Sequence, residues 1–256
     1  MKYATKWITK ASGLLIMVGA MLGGTSLKAQ APDPITVDNV GQYHNEIVGA
    51  YLAAKQPLIT STNYAKQTPA LIAWLCNSMM QNGIVNLCKD QRQDANRYIQ
   101  AYEQGFGSYP RTQYINSLID GITAKFPLKG DEYSLVSQLK GVLQKGGTPK
   151  SMAASFSALD RLFKSNSHDF VFAEWFGGAI SIGKSSAEFW GGVGGTYVDP
   201  TQVEGFLVGD AAGYILGWSY EVFDEWHSGT LTRDREWYRI GKGLQGAGWG
   251  SLLPAP

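Results

Sequence analysis

Four groups of residues have types and spacings that could do chemistry. Gly178 to Ser185 reads GAISIGKS, which fits the phosphate-loop pattern of a glycine, four residues, then Gly-Lys-Ser. That loop follows a strand and cradles phosphate with free backbone amides. Here helical periodicity runs through both flanks, and the inner positions are Ala, Ile, Ser and Ile. Only 71 residues follow Ser185, too few for the remainder of a nucleoside triphosphatase domain. Phosphate binding is not expected. His44, His168 and His227 are the only histidines, and each has an acid nearby, Glu46, Asp169 and Glu225. A histidine–carboxylate pair is the general-base unit of many hydrolases. A metal needs three or four converging ligands, and no spacing here sets even two histidines on one helical face. Ser181 with Lys184, and Ser137 with Lys140, match S-x-x-K. The S-D-N and K-T-G motifs that accompany it in active-site serine enzymes are absent. No catalytic residue, metal or cofactor is assigned on these grounds. Cys76 and Cys88 are the only cysteines. In an oxidising compartment they would pair; two buried free thiols are the alternative, and the spacing leaves both open.

The stretch Asp199 to Trp226 organises the remainder of the chain. Gly205, Gly209, Gly213 and Gly217 recur every fourth residue, so on a helix they form one ridge without side chains. Glycine costs roughly 1 kcal/mol per residue in a helix against alanine. Close backbone approach of a second helix is the usual compensation, as in small-xxx-small packing. The expected neighbour is the Asp169 to Trp190 helix, or a second copy of the chain. Trp218, Tyr220, Phe223 and Trp226 flank the ridge and fit either a membrane-interface belt or core. The apolar run Gly205 to Tyr220 has 16 residues and contains Asp210, short of the roughly 20 that a span needs.

Apolar spacing predicts helices along the chain. Val40, His44, Ile47, Val48 and Tyr51 share one face. Thr68-Pro69 reads as a helix start, with Gly83 as its end. Further helices run from Cys88 to Tyr102, from Pro110 to Phe126, from Asp131 to Lys145 and from Thr148-Pro149 to Phe163. Asp199-Pro200, with Gln202 three residues after the cap, opens the ridged helix as in a capping box. Gly191 to Val198 is the candidate hinge. Beyond His227 one short helix is expected around Trp237 and Ile240. Period-two alternation is scarce. The expected fold is all-α, a single domain of about eight helices over residues 30–256, with the ridged helix at 199–226.

Residues 1–29 read as a cleaved signal peptide. Lys2, Lys6 and Lys10 make its basic start and Ala11 to Gly24 its apolar centre. Cleavage is expected after Ala29, which places the protein outside the cell or in the periplasm. Removal takes four of the 22 basic residues and none of the 21 acidic ones, leaving 18 against 21. That balance argues against a nucleic-acid partner, which needs a clustered basic surface.

Three stretches, YHNEIVGAYL from Tyr43, KSSAEFW from Lys184 and VGDAAGYILG from Val208, occur in that order. In this the chain resembles a group of small exported proteins of Bacteroidetes-type bacteria. The resemblance implies export and a helical fold, and supplies no catalytic residues. The more alanine- and glycine-rich tail of that group is interrupted here by Tyr214, Trp218, Glu221, Asp224 and Glu225.

These readings converge on an exported helical protein with a structural or interaction role through the glycine ridge. Its expected partner is a second copy or another helical protein. A membrane-active protein of toxin or bacteriocin type is the second reading, and a hydrolase with a histidine–carboxylate pair the third.

Overall fold

A computed structural model of the chain describes residues 35–81, 88, 90–107, 111–199 and 202–253. The segment read as a signal peptide lies outside them, as do Gly83, Pro110 and Pro200. Asp33–Pro256 forms one compact unit, and among the described residues it holds nine helices and no strand. They are α1 (Val40–Ala53), α2 (Tyr64–Gln81), α3 (Gln91–Ala101), α4 (Thr112–Lys125), α5 (Glu132–Lys145), α6 (Pro149–Phe163), α7, α8 (Val203–Ser228) and α9 (Glu236–Gly250). Helix α7 is assembled from Phe170–Phe172, a π turn Ala173–Gly177 and Gly178–Trp190.

Helix α8 is the centre of the fold. Of its 26 residues 18 are buried, with an unbroken run from Phe206 to Ser219. A helix that is apolar all round must be enclosed all round, and α7, α9 and α4 pack against it. Its closest neighbour is α9, which returns antiparallel after a short connection. A Cβ on Gly209 would stand 2.6 Å from the carbonyl oxygen of Gly250. One on Gly213 would overlap the carbonyl of Gly246, and one on Gly217 that of Lys242. The relation is mutual, because Cβ atoms on Gly246 and Gly250 would overlap the carbonyls of Gly213 and Gly209. Each step of four along α8 is matched by a step of four back along α9. The ridge therefore packs on the last helix of its own chain, not chiefly on the Asp169 to Trp190 helix. Gly205 lies one turn before this contact, half-buried, and its carbonyl accepts from Arg111 Nη1 at 3.3 Å.

Helix α9 is the element that composition conceals. The sequence reading expects one short helix near Trp237, whereas 15 residues are helical, and 12 of them are buried. Five of the 15 are glycines, each unfavourable in an isolated helix. Tertiary packing overrides the propensity, since only residues without side chains let α9 lie so close to α8.

Helix starts follow the expected chemistry in part. Thr148 Oγ1 accepts from Ser151 N at 3.3 Å, and Asp169 Oδ1 from Phe172 N at 3.0 Å. Elsewhere the expectation moves. Helix α2 begins at Tyr64 and carries Pro69 inside its second turn. Thr68, instead of capping, is buried and accepts from Trp249 Nε1 at 3.3 Å. Helix α3 begins at Gln91, after Asp90 caps it by accepting from Gln93 N at 2.8 Å. Asp131 makes no capping bond; Glu132 reaches back instead to accept from Lys129 N at 2.7 Å. Helix α8 begins at Val203, and its N-cap Gln202 makes no side-chain capping bond; the capping box expected from Asp199-Pro200 to Gln202 lies partly outside the described residues. The candidate hinge holds a short 3-10 turn, Gly194–Thr196.

Candidate functional site

The GAISIGKS segment lies inside α7, where its amides serve the helix. The ring of Phe156 covers Gly183, and Lys184 Nζ pairs with Asp160 Oδ2 at 3.4 Å. Ser181 Oγ accepts from Gly41 N at 3.3 Å and joins α7 to α1. Lys140 pairs with Asp120 across α4 and α5. Neither S-x-x-K pair lines the open clefts at α3 or at Pro149 and Trp190.

Cys76 and Cys88 are joined by a disulfide, with Cα atoms 5.7 Å apart. It ties Cys76, buried in the second half of α2, to Cys88 ahead of α3. Closing a loop with a sequence separation of 12 is worth about 3 kcal/mol through the entropy of the unfolded chain. Reduction, or Cys76→Ser with Cys88→Ser, is expected to lower stability in urea by about that amount. Paired unfolding curves with and without a reductant measure it.

The histidines pair differently from the sequence expectation. His168 lies 3.3 Å from Glu132 Oε1 and 3.0 Å from the Phe163 carbonyl, not with Asp169. His227 meets the Phe223 carbonyl at 2.7 Å, not Glu225. His44 does not pair with Glu46, whose carboxylate accepts from Gln42. Its Nε2 lies 2.7 Å from Ser251 Oγ, and Ser251 Oγ lies 2.5 Å from Asp210 Oδ1. Asp210 Oδ2 accepts from Ser186 Oγ and, at 2.8 Å, from Trp190 Nε1. Helices α1, α7 and α8 and the end of α9 thus meet in one polar cluster. Its members are buried, and burial pushes the Asp210 carboxyl above the ordinary aspartate range against the pull of His44 and its three donors. Arg111 faces it, its own pKa pushed down to about 10 by burial and held up by Asp210.

A second cluster sits nearer the connection between α8 and α9. The π turn in α7 presents Glu174, whose two carboxylate oxygens accept from Arg239 Nη2 and Nε, each at 2.6 Å. Trp218 Nε1 donates to the same carboxylate at 3.2 Å, and the Tyr214 hydroxyl donates to the Glu174 carbonyl. Arg239 Nη1 continues to Glu225 Oε2 at 2.5 Å. Arg235 Nε stands 2.5 Å from Glu225 Oε1, out of line for a hydrogen bond, so this contact is an ion pair alone. Arg235 Nη2 donates to Glu221 Oε1 at 3.0 Å. Lys242 and Asp94, 2.5 Å apart, tie α9 to α3.

Burial, then the neighbouring Glu225, pushes Glu221 up to about 7, against Lys242 and Arg235. A carboxyl raised in the folded state favours folding at low pH, and this contribution is lost as pH rises from about 4.5 to about 7. Glu221→Gln keeps an acceptor for Arg235 and cannot ionise. It is expected to match the parent near pH 4 and exceed it by about 1–3 kcal/mol at pH 8. Melting curves at the two pH values test this.

What can these clusters do? Ser251, His44 and Asn45 satisfy the distances of a nucleophile, a base and its orienter, since His44 Nδ1 lies 3.0 Å from Asn45 Oδ1. Access and partners differ from a working triad. Ser251 and His44 are fully buried, and the serine hydroxyl is held by a carboxylate of its own. Open clefts of about 410 and 380 Å³ occur among the described residues. One follows α3 from Asp90 to Gln100; the other lies at Pro149, Trp190 and the loop glycines Gly191, Gly192 and Gly195. Neither reaches Ser251 or His44. No group of three or more histidine, cysteine or acidic side chains is placed to hold a metal among the described residues. No helix among them is long and apolar enough to cross a membrane.

The aromatic group beside the ridge is divided. Trp218 is enclosed, Tyr220 and Phe223 pack against the core, and Trp226 is exposed, with Lys125 Nζ 4.4 Å above its ring. These residues form no belt. Sequence reasoning missed Asp210, Ser251, Glu174 and Arg239 as partners. Asp210 alone carried a signal, a charge inside an otherwise apolar run. Comparisons with protein-family models, with curated proteins and with solved structures find no match to this chain.

Proposed function

We propose that the chain is an exported structural or interaction protein, with the α8–α9 hairpin as the rigid spine of a helical body. The observation that carries this reading is the use made of its polar side chains. His44, Asp210, Ser251, Glu174 and Arg239 all join helices to one another within the core. The Cys76–Cys88 disulfide and the lysine-led apolar segment at the chain start support export to an oxidising compartment. The glycine ridge acts inside the chain, so a partner would meet the outer surface. Trp226 and Trp237, both about two-fifths exposed, stand at the connected end of the hairpin and are its most prominent outer apolar groups.

Two measurements on the purified mature protein test this reading. A serine-reactive fluorophosphonate should leave Ser251 unlabelled; labelling there would make the protein a hydrolase and overturn the proposal. Light scattering with and without mild detergent should give one detergent-independent mass. A mass that changes with detergent, together with leakage of dye from liposomes, would favour the membrane-active reading instead.

A further inference from the structure

The hydrogen-bond inventory around Ser251 fixes a proton. Asn45 Nδ2 donates to the Ser185 carbonyl at 2.7 Å, which turns Asn45 Oδ1 toward His44. His44 Nδ1 therefore carries hydrogen. On the other side of the ring, Ser251 Oγ lies 2.7 Å from Nε2 and 2.5 Å from Asp210 Oδ1. A hydroxyl has one hydrogen to give. If His44 were neutral and Asp210 ionised, Ser251 would face two acceptors and satisfy only one. The other contact would set lone pair against lone pair, in a site closed to water.

One more proton resolves this in two ways. It rides on His44 Nε2, which donates to Ser251, while Ser251 donates to Asp210. Or it rides on Asp210 Oδ1, which donates to Ser251, while Ser251 donates to His44. Asp210 Oδ2 is already taken by Ser186 and Trp190, so the acidic hydrogen belongs on Oδ1. A second extra proton is tolerated too, because Ser251 can turn its hydrogen to the Ala247 carbonyl at 3.1 Å. Only loss of the shared proton breaks the set.

We propose that His44, Ser251 and Asp210 form a proton-held latch that fastens the end of α9 to α1 and α8, and that loosens when the shared proton leaves. The charged groups facing it are His44 from α1, Asp210 from α8 and Arg111 from the segment before α4. Helix α7 contributes the neutral donors Ser186 and Trp190, and the end of α9 contributes Ser251. The upward push of burial on Asp210 accords with a proton kept in the cluster. The latch also holds a neighbour: the Leu252 carbonyl accepts from Ile59 N at 3.1 Å, so release would free the loop before α2.

Hydrogen exchange of the full mature chain, corrected for intrinsic rates, tests the latch between about pH 5 and pH 9. Protection of Ser251, Leu252, Leu253 and Ile59 should fall about tenfold as pH rises, the equivalent of one lost buried hydrogen bond. The ring-nitrogen signals of His44 should move with the same midpoint. In Asp210→Asn an amide nitrogen at the Oδ1 position donates to Ser251 at every pH, while the amide oxygen still accepts from Ser186 and Trp190. That variant should keep its protection across the range. Should it fail to fold, Ser251→Ala serves: its protection at these sites should be low throughout and show no step. Unchanging protection in the parent chain, or an equal step in either variant, overturns the proposal.

Discussion

Gly213→Ala is expected to destabilise the protein by about 2–4 kcal/mol, although alanine is the better helix former by about 1 kcal/mol. The added methyl meets the Gly246 carbonyl, its carbon at 2.9 Å and the Ala247 Cα at 3.2 Å. All three are backbone atoms, which cannot turn aside as a side-chain end would. The helices must part, and the contacts at Gly209 and Gly217 then open with them. For a chain of this size that loss corresponds to a fall in melting temperature of roughly 5–15 °C. Gly121→Ala and Gly141→Ala are the controls, in α4 and α5. Each position is exposed, and a Cβ there would meet nothing within 4 Å. These substitutions should raise stability by about 0.5–1 kcal/mol through propensity alone. Calorimetry on the three variants separates the terms. A Gly213→Ala protein that melts with the parent would show that the ridge does not set the α8–α9 distance.

The opposite signs expected at Gly213 and Gly121 show where sequence reasoning reached and where it stopped. The four-residue glycine period announced close packing, because such a ridge is costly unless something lies on it. It could not name the neighbour. The partner ridge on α9, Gly246 and Gly250, was hidden by its own composition: EWYRIGKGLQGAGWG looks like a poor helix on any local scale. Periodicity was sufficient for α1, α4, α5 and α6, whose apolar faces are ordinary side chains in register. It misplaced the start of α2, where Pro69 looked like a first-turn residue and the helix had already begun at Tyr64. The polar clusters were illegible for a different reason. His44 and Ser251 are 207 residues apart, and Glu174 and Arg239 are 65 apart. Local acid–histidine proximity, as in His44 with Glu46, carried no information about them. On a helix a neighbour two positions away points to another face.

Arg239→Met should cost about 3–5 kcal/mol, and more at pH 8 than at pH 5. Arg239 is fully buried and holds Glu174 by two bonds and Glu225 by one. Methionine fills much of the same space and removes the only cation that touches Glu174 among the described residues. What is then left is a carboxylate at the core with Trp218 as its remaining side-chain donor among the described residues. Burial already pushes Glu174 above the ordinary glutamate range against the pull of Arg239. Without that pull the rise is larger, so the folded state takes up a proton that the unfolded chain holds only at lower pH. A raised carboxyl favours folding at low pH, and that contribution is lost as pH rises. The variant should therefore recover part of its stability on acidification, and urea titrations at the two pH values measure the difference. Adding Glu174→Gln removes the stranded charge and keeps an acceptor for Trp218, so the double variant should be more stable at pH 8 than Arg239→Met alone. This non-additivity separates a charge network from simple packing. If the single variant unfolds at the same urea concentration at both pH values, Glu174 has found another partner, and the π turn that presents it is not held by Arg239.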